Sequence, residues 1–410
     1  MLENPFGSPA KPMLTTTCCI AGGGPAGMML GYLLARQGID VVVLEKHADF
    51  LRDFRGDTVH PSTLDALEKL GLLEDFLKMA GDSITRISVR VGEDEFAGPD
   101  FRFITAHNKR IVLMPQWDFL DFLAARAKQF PSFRLMMNAE CVDLVRDAWR
   151  VTGVRVKTPD GEASILADLV VGCDGRNSTV REKAALPVRD LGVPIDVLWM
   201  RVERRSDDPL QTFASIQPGS IMVLLDRTTY WQCAYVIPKG EFDAIRERGI
   251  ESFRSSVRAG APFLGDRVEA LVWDEVKLLS VSLDRLRRWA IPGLLCIGDA
   301  AHAMSPVGGV GINLAVQDAI ATSNLLAEKL KAKTLSMRDL NAIQRRRQFA
   351  VQVTQGVQAQ AHRRFLRPAL SRVDPEALEG VKRALRRFGF LRFAAAQLVG
   401  VGVRPELPRV

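Results

Sequence analysis

The run Cys18-Cys-Ile-Ala-Gly22-Gly-Gly24-Pro25-Ala26-Gly27 leads an apolar stretch into the helical pattern PAGMMLGYLLARQG, and the apolar stretch IDVVVLEKH follows. Strand, glycine turn, helix and strand across residues 17–45 make one βαβ unit. Gly22, Gly24 and Gly27 are spaced G-x-G-x-x-G, and Pro25 and Ala26 open the helix. Missing side chains at those positions let backbone N–H groups approach a pyrophosphate at the positive end of the helix. Glu45 ends the second strand, 23 positions after Gly22. A carboxylate there accepts hydrogen bonds from ribose hydroxyls, which suits a dinucleotide with a free ribose. A ligand-free tight turn is the competing reading, and the coincidence of the glycines with Glu45 weighs against it.

A second glycine-rich turn lies far along the chain, in Leu294-Leu-Cys-Ile-Gly-Asp299-Ala-Ala-His302-Ala-Met-Ser-Pro306-Val-Gly308-Gly-Val-Gly311-Ile312-Asn313. The pattern reads as strand, acidic turn, loop and helix. Between the two stands Val170-Val-Gly172-Cys-Asp174-Gly175-Arg-Asn-Ser178-Thr-Val-Arg181. Short residues around Asp174 let the chain turn against a dinucleotide while its carboxylate accepts hydrogen bonds.

In order and spacing these three motifs resemble those of the para-hydroxybenzoate hydroxylase-like FAD-dependent monooxygenases, the aromatic hydroxylase class in its short single-component form. The resemblance covers residues 14–335. It implies that Asp299 binds the ribitol chain of FAD and that Pro306, Gly308, Gly311, Ile312 and Asn313 lie along the isoalloxazine ring. A helix starting near Gly311 would then aim its partial positive charge at the reduced, anionic ring. It implies, less specifically, that Arg55 lies by the flavin, that Gln116 contacts its linker, that the Val142 backbone meets adenine, and that Lys46 follows the ribose carboxylate. Asp174 is associated in that family with both FAD and NAD(P)H.

The expected fold class is α/β. A Rossmann-like FAD-binding domain of parallel sheet and helices occupies 14–80, 110–185 and 277–335. It is interleaved with a mainly antiparallel substrate domain, 81–109 and 186–276, and followed by a basic helical segment, 336–410. Strand patterns in IDVLWMRVER, SIMVLLDR and YWQCAYVIP mark the second domain. Leu198, Met200, Met222, Leu224 and Trp231 are candidates for apolar pocket walls, with ordinary core as their other reading. A helix start is expected at Asp374-Pro375-Glu376.

Composition narrows the class. The 410 residues are 47% hydrophobic and 25% charged, ordinary for a globular protein of two domains. Residues 331–410 hold 17 Lys and Arg against 5 Asp and Glu, so the net charge of +7 hides a basic end. That end could touch an anionic membrane surface or a partner, with a solvated helix face as the blander reading. Nucleic acid is disfavoured, because no aromatic platforms interleave the basic residues. The six cysteines and five histidines show no metal spacing, and no metal site is expected. Neither a secretion signal nor a membrane-spanning run is visible, the apolar run Phe393–Val403 being too short, which favours a cytoplasmic location.

The resemblance implies an NAD(P)H-driven monooxygenase that hydroxylates an aromatic or quinone-like small molecule with molecular oxygen, through a flavin C4a-hydroperoxide. No second dinucleotide motif is visible, so NAD(P)H is expected to visit as a transient reductant. The catalytic residue is unassigned. His60 and His302 read as structural hydrogen-bonders before bases, and Tyr32, Tyr230 and Tyr235 match none of the phenol-activating tyrosines of the para-hydroxybenzoate enzyme. Two other readings remain: a flavin-dependent reductase of isoprenoid or other unsaturated substrates, and a flavin-bound redox sensor or scaffold. A flavin halogenase is disfavoured because its W-x-W-x-I-P motif is absent, Trp289-Ala-Ile-Pro292 being only a partial likeness.

Overall fold

The computed structural model describes residues 12–51, 58–209, 212–217, 219–366, 370, 379–380, 382–383, 386–387 and 389–409. Arg55 and the helix start expected at residues 374–376 lie outside them.

The apolar runs that bracket the glycine turns become neighbouring strands. One sheet runs Ala290–Ile291, Leu294–Cys296, Gly161–Gly172, Pro12–Ala21, Val41–Leu44 and Phe133–Met136. All neighbours except the first pair are parallel. The segments nearest the turns, 18–21, 41–44, 169–171 and 294–296, are apolar throughout and fully buried, as strands covered on both faces are. Helices Pro25–Arg36, Gln116–Ala127 and Gly311–Lys331 pack side by side over this sheet. Strand Arg150–Thr158 pairs antiparallel with Gly161–Gly172, and Glu140–Asp147 antiparallel with Arg150–Thr158.

The second sheet runs Lys277–Leu279, Ile195–Glu203, Tyr230–Pro238, Ser220–Asp226, Phe213–Gln217, Arg86–Val91 and Asp94–Asp100. It is antiparallel apart from the parallel pairing of Phe213–Gln217 with Arg86–Val91. Its outer face is covered by helix Ile250–Gly260, which the strand-based reading of this region did not anticipate.

The basic end folds back onto the body. Helix Met337–Ala361 opens with a Ser336/Asp339 capping box and buries Leu340, Ile343, Arg347, Val351, Gln355 and Gln358. The apolar run near residue 393 becomes helix Leu391–Gly400, whose buried Ala396 packs with Phe101 and Ile104. Arg346 pairs with Glu406 and Arg347 with Asp318, so part of the basic excess is spent inside the molecule. A membrane or partner contact through this segment finds no support in that packing. Among the described residues no helix is long and apolar enough to cross a membrane.

Candidate flavin site

Three adjacent parallel strands end at one level: Ala21 pairs with Gly172, and Gly172 with Cys296. The three motifs are therefore loops on the same carboxyl edge of the sheet, where open α/β sheets bind ligands.

Glycines let these loops touch. Gly22 has φ +108, and a Cβ there would lie 2.4 Å from the Cys173 carbonyl oxygen, which binds the first motif to the middle one. Gly298 has φ +60, and a Cβ there would lie 3.0 Å from Ala26 Cβ, so the second turn rests on the first helix. Arg176 closes the triangle, its Nε donating to Asp299 Oδ2 at 3.3 Å.

The cradle suits a pyrophosphate. Around Gly24 no protein atom lies within 4 Å of where a Cβ would stand, so the backbone is open to a ligand. Gly24 is the N-cap of helix Pro25–Arg36, which has no side-chain cap and no acid in its first turn. Free N–H groups and the helix dipole therefore face outward there. Helix Gly311–Lys331 begins in the same way, with neither side-chain cap nor acid, behind Pro306 and the positive-φ residues Gly308 and Gly309. Ile312 and Asn313 are buried in its first turn, and Asn313 Oδ1 accepts from Ser62 and Thr63 at 2.8 Å each.

Glu45 is buried just after Val41–Leu44, with Oε2 accepting from Gly23 N at 3.3 Å and Oε1 from His47 N at 3.1 Å. Lys46 is exposed, and Gln116 is half-buried at the start of Gln116–Ala127. The register between strands 140–147 and 150–158 slips between Asp143 and Cys141, which places Val142 in a bulge. A bulge takes one residue's backbone out of the ladder, as contact with a base would need. Asp174 spends its carboxylate locally, accepting from Ser178 Oγ and from Val180 N at 2.9 Å. Burial pushes its pKa up, against the pull of those two bonds. Its geometry is that of a pillar holding the middle loop behind Gly22.

Asp318 and Arg347 escaped the sequence reading, whereas His302 and His60 are the structural hydrogen-bonders it expected. Asp318, fully buried, binds His302 Nε2 at 2.6 Å, Arg347 Nε at 2.8 Å and the Gly298 backbone N–H at 3.1 Å. Burial alone would raise its carboxyl, but His302 and Arg347 hold it below the usual range. The usable signal was a lone acid in the otherwise uncharged stretch INLAVQDAIAT, since a buried charge demands a partner. His60 is also buried, donating from Nδ1 to the Val399 carbonyl at 2.7 Å and pairing through Nε2 with Thr58 Oγ1 at 3.1 Å. Burial lowers its pKa to about 4, despite the Val399 bond, so the ring is neutral beside Gly309. Burial likewise pushes the Cys18, Cys141 and Cys233 thiols up to about 12, which leaves them unreactive.

Of the two readings of the strand residues, pocket wall and ordinary core, the structure supports core. Leu198, Met200, Met222, Leu224 and Trp231 all point away from the Pro306–Gly309 loop, into a core with Phe253 and Val257 of helix Ile250–Gly260. Alternation along a strand puts their neighbours on the opposite face. There Ile221 and Val236 meet Val307 of that loop, and Val197 and Ala234 lie with Trp199 and Val223.

Comparison with known proteins shows the family. Residues 15–357 match the FAD binding domain family, and the chain belongs to it. It is an FAD-dependent enzyme of the monooxygenase class. Over 357 residues, 86% of this chain and 84% of the relative, it is 32% identical to 6-methylpretetramide 4-monooxygenase of Streptomyces rimosus. It is 27% identical to para-nitrophenol 4-monooxygenase of Pseudomonas sp. WBC-3, over 80% of this chain and 82% of the relative. The crystal structure of p-nitrophenol 4-monooxygenase PnpA from Pseudomonas putida DLL-E4 shares the fold, with TM-score 0.75 and 22% identity over 94% of this chain and 99% of that one.

Proposed function

We propose that this enzyme hydroxylates a flat aromatic or quinone-like molecule, using dioxygen and electrons from NAD(P)H. One observation carries the reading: three loops that fit FAD converge on one sheet edge, and the Val307 end of the last meets an apolar face of the second sheet. In this reading the backbone at Gly24 and Ala26 holds the pyrophosphate, on a turn that Gly22 and Gly27 allow to pack closely, Glu45 holds a ribose, and Asp299 the ribitol chain. Bound FAD supplies a two-electron store that NAD(P)H fills and dioxygen empties, one oxygen atom going to substrate and the other to water. The protein's own share is electrostatic and steric. The N-terminus of Gly311–Lys331 favours negative charge beside it, and the second sheet keeps water away.

That sheet also speaks to the substrate. In register across it lie Trp199, Ala234, Val223, Ala214, Val89 and Phe96, on the same face as Ile221 and Val236. From Trp199 to Val89 is four strand spacings, about 19 Å. Two of the residues between are alanines, so the floor is broad and low, suited to a flat ring system. Trp199 Nε1 is buried and has no acceptor among the described residues, an unmet donor on this face of the sheet.

The test is aerobic oxidation of NADH and NADPH over a panel of aromatic and quinone-like compounds, with mass spectrometry of the products. The reading expects at least one compound that accelerates turnover and gains one oxygen atom. Peroxide release with every compound, and no oxygenated product, would overturn it.

A further inference from the structure

The flavin loop is held from behind by a helix that no motif marks. Between the turn Gly298–Ala300 and helix Gly311–Lys331 the chain forms no strand, so the backbone groups of Ser305 and Val307 need partners elsewhere. Gln358 of helix Met337–Ala361 supplies them. Its Oε1 accepts from Ser305 N at 3.2 Å, and its Nε2 donates to the Ser305 and Val307 carbonyls at 2.9 Å each. One side-chain amide thus serves as a strand edge. One turn further on, His362 Nε2 pairs with Ser305 Oγ at 2.9 Å, and that oxygen also accepts from Val307 N at 3.3 Å. Gln355, one turn before, donates to the Ala303 carbonyl at 3.1 Å.

Residues 355, 358 and 362 share one helix face at spacings of three and four, and all are buried. At His362 the helix loosens into a π turn, His362–Leu366, a distortion that recurs at functional sites. The opposite side of the loop is stopped too: a Cβ on Gly309 would lie 2.9 Å from Thr58 Oγ1. The Pro306–Gly309 turn is therefore pinned on both sides before any ligand arrives.

We propose that Gln358 and His362 are positioning residues for the flavin: by holding Ser305 and Val307 they fix how the Pro306–Gly309 turn and the next helix N-terminus meet the ring. The inference rests on the reading that this loop borders the isoalloxazine. A preorganised loop stabilises charge on the ring without first having to order itself. Loss of the latch should therefore change the bound flavin, and not only the fold.

Four proteins test this: wild type, Ser305→Ala, His362→Phe and His362→Gln. FAD release from the holoenzyme is followed by the rise of flavin fluorescence, beside the visible spectrum of the bound flavin and the thermal midpoint by circular dichroism. Ser305→Ala removes a single oxygen from the latch and is the variant least exposed to misfolding. The expected result is about tenfold faster release in Ser305→Ala and His362→Phe, the effect of roughly one lost hydrogen bond. Their flavin spectra shift as well, and His362→Gln, which returns an amide to Ser305, restores both readings. Wild-type release and spectra in all variants overturn the proposal. So does faster release with an unchanged spectrum and a lowered midpoint, which marks a structural role alone. A wild-type protein that retains no FAD overturns the flavin reading itself, and the latch with it.

Discussion

The carbonyl oxygen of Gly22 occupies the space that a side chain on Gly27 would need: a Cβ there would lie 2.0 Å away. Helix Pro25–Arg36 can thus lie close upon the strand that precedes it. Gly24, between them, meets nothing within 4 Å. Two glycines of one motif therefore do different work. The first permits packing inside the protein, and the second leaves room for a ligand.

Gly27→Ala and Gly24→Ala should separate these roles. Gly27→Ala forces backbone to move and is expected to cost about 2 kcal/mol or more of stability, in the range of overpacked cores. Gly24→Ala should leave the urea midpoint near wild type while weakening FAD binding at least tenfold. Flavin fluorescence titration and urea unfolding of the two variants give the comparison. Equal loss of stability in both would mean that Gly24 is a packing residue.

The charged cluster beneath the second turn makes a sharper stability case. Asp318→Asn removes the negative charge facing His302 and Arg347, both 1% exposed. Leaving a buried guanidinium without its partner costs about 3–5 kcal/mol. Because Gly298 N also binds Asp318, the Asp299 turn should loosen, and FAD retention should fall together with the urea midpoint. The double variant Asp318→Leu with Arg347→Met removes both charges and should recover most of the lost stability. A double variant no better than Asp318→Asn would contradict this account.

Much of this was legible in the chain because backbone chemistry is local. Gly22, Gly24, Gly27 and Glu45 announce their strand, turn and helix through near neighbours alone. The strand Ile195–Glu203 was equally plain from its alternation. Which of its faces meets the Val307 loop was not, since Leu198 and Trp199 are both apolar and only the helix covering one face decides between them. Asp318 and Arg347 stand 29 residues apart, and Gln358 and Ser305 stand 53 apart. Their partners are set by how helix Met337–Ala361 packs on helix Gly311–Lys331 and on the loop before it, a tertiary fact with no period in the sequence.

His60 makes stability depend on pH in a defined window. Burial holds its folded-state pKa at about 4, against an ordinary 6.5, so the folded protein binds its proton later than the unfolded chain does. Above pH 6.5 both states are neutral and the contribution is complete. As pH falls from 6.5 towards 4 the unfolded chain is protonated first, and stability declines by on the order of 3 kcal/mol. His60→Gln should flatten that part of the curve. Urea midpoints of the holoenzyme at pH 4.5 and 7 would show it, and an undiminished gap in the variant would assign the acid sensitivity elsewhere.

Trp199 offers the most direct test of the substrate face. Its Nε1 is a buried donor with no acceptor among the described residues, on the face of the sheet that meets Val307. Trp199→Phe keeps an aromatic surface and removes the N–H. If that donor serves a substrate oxygen, the loss of one hydrogen bond should raise KM about five- to tenfold for a phenolic substrate. The same change should leave KM nearly unaltered for an analogue lacking the oxygen. Leu198→Met, on the opposite face beneath helix Ile250–Gly260, conserves core volume and should change neither. The contrast between adjacent residues tests the orientation of the whole sheet. A larger effect at Leu198 than at Trp199 would mean that the substrate lies on the other side.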